Sequence, residues 1–231
     1  MIKKLKQKFK IYGVDGYIIP KNDEFFSEYA NPNRLKIISN FSGSAGMALI
    51  LKDKNYLYVD GRYTLQGRLE SGKHFEINEI PKVNPRQILS RYKRKIKLGF
   101  DPKLFTYQSL RRHFLPEFEL IAIKDNLIDQ LYINKKVKGK SFFQLSSKVA
   151  GETVRSKLKK LLNFMSKKKI DNIFISAPEN VSWLLNLRGY DNPNSPIPNC
   201  RLIVTKNKKI YLFSSRYKIQ NIINKIQVKL N

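Results

Sequence analysis

The chain has 231 residues, 42% hydrophobic and 12% aromatic, which is enough for one large core or two small ones and too apolar for an intrinsically disordered polymer. Its 45 basic residues outnumber 18 acidic ones, for a formal charge of +27, and 33 of the basic residues are lysine. A charge of that size repels itself or meets an acidic partner such as nucleic acid, an anionic membrane or an acidic protein. The lysines run along the whole chain in short groups such as Lys167–Lys169, with no nucleic-acid reading motif among them, so nucleic acid is not the expected partner. The single cysteine, Cys200, excludes an intramolecular disulfide and fits a reducing, cytoplasmic setting. The basic N-terminus leads into no secretory signal, and the longest apolar runs, about five residues, fall far short of the ~20 of a membrane helix. No membrane partner is expected.

Ile2, Leu5 and Phe9 are three and four apart and predict a short N-terminal helix docked by one stripe. Residues 14–20 read as a buried strand stopped by Pro20, and 22–29 as a helical turn or loop. A short helix follows over 33–38. Residues 47–51 and 56–59, joined by Asp53-Lys54-Asn55, form a hairpin. Asp60 is placed to cap a helix running from Gly61 to Glu70 and closed by Ser71-Gly72. Strands over 74–80, 96–100 and 118–123 alternate with helices over 87–93 and 107–114, and a helical turn is expected over 127–132. Alternation of this kind argues for a layered α/β domain.

Residues 134–150, dominated by Lys, Ser and Gly, read as a linker. A helix opening at Gly151-Glu152-Thr153 carries the stripe Val154, Leu158, Leu161, Leu162 and Met165, and Lys167–Lys169 suit its C-terminus. A strand over 170–175, a helix over 178–185 with proline in its first turn, and a hairpin of 202–204 with 210–213 follow. A helix over about 216–225 and a strand over 226–230 end the chain. Trp183-Leu184-Leu185 read as core.

The stretch Phe41-Ser42-Gly43-Ser44-Ala45-Gly46 has the glycines of a phosphate loop but leads into a strand. A phosphate loop leads into a helix, whose amides face the anion. The glycines are therefore expected to supply a positive φ or a close backbone approach in a turn. Asp60-Gly61-Arg62 is the second motif. Arg62 follows the C-terminal end of a strand, where α/β sheets bind ligands, and a guanidinium there can take a carboxylate bidentately. The alternative is a capped helix with an exposed arginine. His74 and His113 stand too far apart for a metal cage and read as structural or surface residues. Cys200 reads as a small buried residue, and no serine has the setting of a hydrolase nucleophile.

The segments Gly16–Pro20, Ser27-Glu28-Tyr29, Arg34, Ile38–Gly46, Tyr58-Val59-Asp60-Gly61-Arg62-Tyr63 and Gln66 resemble the N-terminal domain of the Xaa-Pro aminopeptidases (aminopeptidase P), the creatinase-like N-terminal domain. Leu98-Gly99-Phe100-Asp101-Pro102 fits a strand of that domain. Trp183–Asp191, followed by Pro193 and Pro196, is similar to the family's second domain. The resemblance implies an α/β fold of two creatinase-N-terminal-like domains, each a mixed sheet flanked by helices. Here they are expected over residues 1–133 and 151–231, with 134–150 as linker and the second domain incomplete.

In the family these domains precede a C-terminal catalytic domain of pita-bread fold. It holds two divalent metals, usually Mn²⁺, on two Asp, one His and two Glu, and releases the residue before proline. No residue here matches a metal ligand, so no cofactor is expected on this chain and Mn²⁺ only in the missing catalytic domain. Arg62 matches the family arginine that reaches the peptide cleft, which makes it the expected substrate contact, with Asp60 orienting it or capping the helix. The resemblance thus implies a truncated or split-gene product, inactive alone. Its partners would be a catalytic chain or further copies of itself, and a peptide with proline second once a catalytic half is present. The alternative is a non-enzymatic basic module binding an acidic protein or nucleic acid.

Overall fold

The structure, a computed structural model, describes residues 1–222 apart from Glu28, Lys93, Glu117, 133–139 and Pro193. The chain divides into two compact units, Met1–Lys135 and Lys136–Asn231.

The first unit runs α1 (Ile2–Tyr12), β1 (Gly16–Pro20), α2 (Arg34–Ser39), β2 (Gly46–Leu51), β3 (Asn55–Asp60), a 3-10 turn (Gly61–Tyr63), α3 (Thr64–Ser71), β4 (Glu76–Ile80), α4 (Pro85–Leu89), β5 (Lys97–Phe100), α5 (Tyr107–His113) and β6 (Glu119–Ala122). The strands form one mixed sheet in the order β4-β3-β2-β1-β5-β6. The hairpin pairs β2 antiparallel to both β1 and β3, while β4 joins β3, β5 joins β1 and β6 joins β5, all in parallel.

Alternation along the central strands sends side chains to two opposite faces. Tyr17, Ile19, Ala48, Ile50, Leu57 and Val59 meet Leu5 and Phe9 of α1 and Leu35 and Ile38 of α2. Ile18, Met47, Leu49, Tyr56 and Tyr58 meet Ile88 of α4 and Leu110 and Phe114 of α5. Both faces of the sheet are therefore covered, which is why its central strands are near-continuously apolar. Asp15 pins the N-terminal ends of β1 and β5. Its carboxylate accepts from Arg94 Nη1 and Nη2 (2.8 and 2.7 Å), Lys52 Nζ (2.9 Å) and the Lys97 amide (3.1 Å). Those donors, Arg94 first, hold its carboxyl well below the ordinary range against the opposing effect of burial.

The second unit contains β7 (Phe143–Gln144), α6 (Ser147–Ala150), α7 (Val154–Lys167), β8 (Asn172–Ile175), α8 (Pro178–Leu185), β9 (Leu187–Arg188), β10 (Arg201–Thr205), β11 (Ile210–Phe213) and α9 (Arg216–Ile219). Its described strands make a three-stranded sheet, β11-β10-β8, and the small pair β7-β9. Every pairing among them is antiparallel, so among the described residues mixed pairing occurs in the first unit. The core joins Val154, Leu158 and Met165 of α7 to Val181, Leu184 and Leu185 of α8 and to Leu202 and Val204 of β10. Cys200 is fully buried there, and burial pushes its thiol up to about 12.

Several expectations change in detail. The described part of 134–150 is not a linker. Phe142 is buried in the second core, its amide donates to Lys218 O (2.8 Å), and β7 and α6 occupy the rest. The helix expected over 87–93 is α4 and starts at Pro85, because Asn84 closes a capping box with Gln87. The helical turn expected over 127–132 is present as hydrogen-bonded turns over 127–131, with the Gln130 amide on Asn126 O (3.2 Å) and the Tyr132 amide on Ile128 O (2.9 Å). Trp183 is 58% exposed, with Leu184 and Leu185 alone turned into the core. Its ring lies against Lys157 Nζ, 4.5 Å from the centroid. The strand expected over 226–230 and the last residues of the helix before it lie outside the described residues.

Candidate functional site

β3 ends at Asp60 beside the end of β4, and the chain turns at once into the 3-10 turn and α3. Asp60 Oδ1 accepts from the Arg62 amide (3.0 Å), which caps the turn, and from Arg62 Nε (3.2 Å), while Oδ2 accepts from Arg62 Nη2 (2.7 Å). One carboxylate thus does both jobs foreseen for it, capping and orienting. The same hydrogen bonds hold the Asp60 carboxyl below its ordinary range, so it is ionised at neutral pH. The guanidinium lies over the Tyr63 ring, 5.2 Å from its centroid, and the Arg62 side chain is 72% exposed. It is an exposed cation on the turn that follows the strand, with its Nε–Nη2 edge engaged by Asp60.

The loop 41–46 forms the ground beneath this pair. Phe41 is buried, edge-on to Tyr63 at 5.8 Å. Ser42 donates through its amide and its hydroxyl to Glu70 of α3 (2.7 Å each), and Ser44 Oγ lies 2.9 Å from Tyr63 Oη. Neither Gly43 nor Gly46 has a positive φ; close approach is what requires them. A Cβ on Gly43 would stand 2.3 Å from the Phe41 ring, and one on Gly46 3.1 Å from both Phe41 and Tyr58 O. The stretch is a packed turn, as its lead into a strand implied.

Next to Asp60 a cleft of about 390 Å³ opens, with Pro20, Ala45, Gly46 and Met47 on one side and Ile80, Phe105 and His113 on others. It sits where β1, β3 and β4 end, the usual ligand-binding edge of such a sheet. His113, expected to be structural or superficial, is half-buried in its wall. Burial first, then Arg112 and Arg86, push its imidazole below the ordinary value, so it is neutral at pH 7. Its Nδ1 and Tyr58 Oη are buried with no hydrogen-bond partner. Phe26 stands at the same cleft, half exposed, at a positive φ of 60°. No single residue signalled any of these roles. Asn22-Asp23, turn-forming residues directly after a strand end, were the nearest available sign.

His74 is exposed and is not among the residues lining the cleft. Among the described residues, no three of His, Cys, Asp and Glu come together to hold a metal ion. No helix among the described residues is long and apolar enough to cross a membrane.

Comparison with known proteins finds the same α/β fold. The chain belongs to the creatinase/prolidase N-terminal domain family, whose description matches residues 1–131 and again residues 134–230. Among curated relatives it is 32% identical over 95% of its length to Xaa-Pro aminopeptidase 1 of Dictyostelium discoideum. It is likewise 32% identical over 92% to a probable Xaa-Pro aminopeptidase P of Laccaria bicolor. It covers 38% and 35% of those two proteins, and so spans little more than a third of their length. In fold it is similar to the X-prolyl aminopeptidase of Caenorhabditis elegans, described as a cytosolic enzyme with a di-nuclear active site. The TM-score is 0.85 at 24% identity, over 99% of this chain and 40% of that one.

Proposed function

We propose that this chain is the substrate-holding, non-catalytic portion of an Xaa-Pro aminopeptidase, acting in the cytoplasm and inactive by itself. The supporting observation is the Asp60–Arg62 pair: an ionised carboxylate aims an exposed guanidinium from the strand end, within a stretch matching Xaa-Pro aminopeptidases over 95% of this chain. Arg62 binds a substrate oxygen and Asp60 fixes its direction. Bond cleavage belongs to the part of the relatives that this chain does not span. There a metal centre would supply Lewis-acid and nucleophile-activating chemistry. The partners of this reading are the family's catalytic part, on the same or another chain, and further copies of this one.

Hydrolysis of Xaa-Pro peptides with added Mn²⁺, measured for the chain alone and mixed with the polypeptide encoded immediately downstream, tests the reading. Activity only in the mixture supports it; activity from the chain alone, or none in either, overturns it. The charge of +27 supports a second reading, a basic module for an acidic protein or nucleic acid. Tight DNA binding that weakens steeply with salt would favour that reading.

A further inference from the structure

We infer that the open face of the β11-β10-β8 sheet is a stacking platform for single-stranded nucleic acid, on which Phe174, Tyr211 and Phe213 take bases while Lys208 and Lys209 beside them meet phosphates. This goes beyond the peptide-holding reading, which stands or falls separately. It gives the basic-module reading a place and a ligand.

The first observation is the arrangement of the rings. Ile173, Ile175, Leu202, Val204, Ile210 and Leu212 pack into the second core, so the strand residues between them lie on the opposite face. There Phe174, Tyr211 and Phe213 are 59%, 49% and 51% exposed. The register sets Ile203 between Phe174 and Tyr211, and Arg201 opposite Phe213. Tyr211 and Phe213, two residues apart on one strand, stand about 7 Å from each other, and Phe174 lies about 10 Å across the sheet from Tyr211. Single exposed apolar residues are ordinary, but a contiguous group marks an interaction surface. Aromatic rings presented on a sheet are what bases stack on in proteins that hold single strands.

The second observation is charge. Within residues 136–231 only Glu152, Asp171, Glu179 and Asp191 are acidic, against 20 Lys and Arg. The excess reaches this face. Lys208 and Lys209 are exposed in the turn that leads into β11, and alternation puts Lys209 on the same side as Tyr211 and Phe213. Asp171, which directly precedes β8, is held by Lys206 Nζ (2.7 Å). A row of cation and rings along one strand combines the two things a single strand offers, a charged backbone and unpaired π faces. An acidic peptide uses the cations and leaves the rings in water, which favours nucleic acid over acidic protein. Stacking is also tolerant of sequence, so such a surface needs no reading motif, and the lysines have none.

The test titrates the intact chain against a fluorescein-labelled oligothymidylate of about 12 nucleotides, followed by fluorescence anisotropy. Binding should be saturable and tighter than to a duplex of the same length. A surface acting through charge alone prefers the duplex, whose charge density is higher. Tyr211→Leu and Phe213→Leu keep apolar bulk and remove the π face, and each should weaken binding roughly tenfold with Tm unchanged. Phe213→Trp should bind at least as well as the parent. Lys209→Gln should reduce the salt slope by about 0.7. The oligonucleotide should also disperse any association between copies through these rings. No saturable binding, a duplex bound as tightly as the single strand, or parent-like affinity in both leucine variants would overturn the inference. Displacement of the oligonucleotide by polyglutamate at equal charge would overturn it too and assign the face to an acidic protein. Salt-sensitive duplex binding that ignores the rings would sink this inference and leave the basic-module reading standing, and none of these outcomes depends on Xaa-Pro hydrolysis.

Discussion

The two units solve the same problem differently. In the first, a six-stranded sheet is covered on both faces, by α1 and α2 on one side and α4 and α5 on the other. In the second, α7 and α8 cover one face of a three-stranded sheet, and the other face presents Phe174, Tyr211 and Phe213, each about half exposed. The register makes those side chains neighbours: Ile203 pairs with Phe174 on one side and Tyr211 on the other, and Arg201 pairs with Phe213. One unit completes its layers and uses a strand end to hold Asp60 and Arg62. The other leaves an apolar sheet face of the kind that marks interaction surfaces. The first unit thus carries the Asp60–Arg62 pair, and the second presents three half-exposed aromatic rings among its described residues.

The largest effect that should separate them is core loss in the first unit. Phe41→Ala should destabilise by roughly 3–5 kcal/mol, because the ring is fully buried and Gly43 and Gly46 leave no side chain to refill its place. Chemical denaturation read by hydrogen exchange should show the loss in 1–132 and not in the core of α7, α8 and β10. A uniform loss would mean that the two cores are one cooperative system.

Asp15→Asn comes next, at about 1–3 kcal/mol near neutral pH, the range for charge-assisted hydrogen bonds. The carboxyl is depressed in the fold, so its stabilisation is present above the unfolded-state value near 4 and is lost as pH falls from there through the lower folded value. Acid titration of the parent and the variant should therefore converge toward pH 2. Persistence of the full difference at that pH would assign the effect to something other than ionisation.

The smallest stability effect belongs to the open face. Phe174→Ser and Phe213→Ser should change unfolding free energy by no more than about 0.5 kcal/mol, the usual range for surface positions. They should also reduce concentration-dependent self-association seen by sedimentation. A large stability loss would show the face to be covered and would erase the contrast between the units.

Much of the first unit was legible in the chain. The runs at 16–20, 46–51 and 55–60 are apolar on both alternating positions because both faces of the sheet are covered, and Ile2, Leu5 and Phe9 announced the docked helix. The Asp60 cap was legible for the same local reason. Sheet order was not, since nothing local tells β1 to take the hairpin on one side and β5 on the other. Two-residue strands such as β7 and β9 carry no periodicity, which is why Phe142–Gln144 read as linker. Trp183 read as core because a large ring in an apolar triplet usually is; the position of α8 instead turned it toward Lys157. Phe26 was the least legible of all. Its left-handed backbone sits in a turn that Asp23 closes through hydrogen bonds to the amides two and four residues on, against what the residue itself prefers.

The most direct measurement is the kcat/KM of Xaa-Pro hydrolysis with Mn²⁺ in the complemented mixture, comparing the parent chain with Arg62→Ala and Asp60→Asn. Arg62→Ala should lower kcat/KM at least tenfold, the scale of one lost charge-assisted contact. Asp60→Asn, which leaves the guanidinium but loosens its aim, should lower it less, with circular dichroism unchanged in both. A mixture that hydrolyses Xaa-Pro peptides equally well with Arg62→Ala would contradict the account.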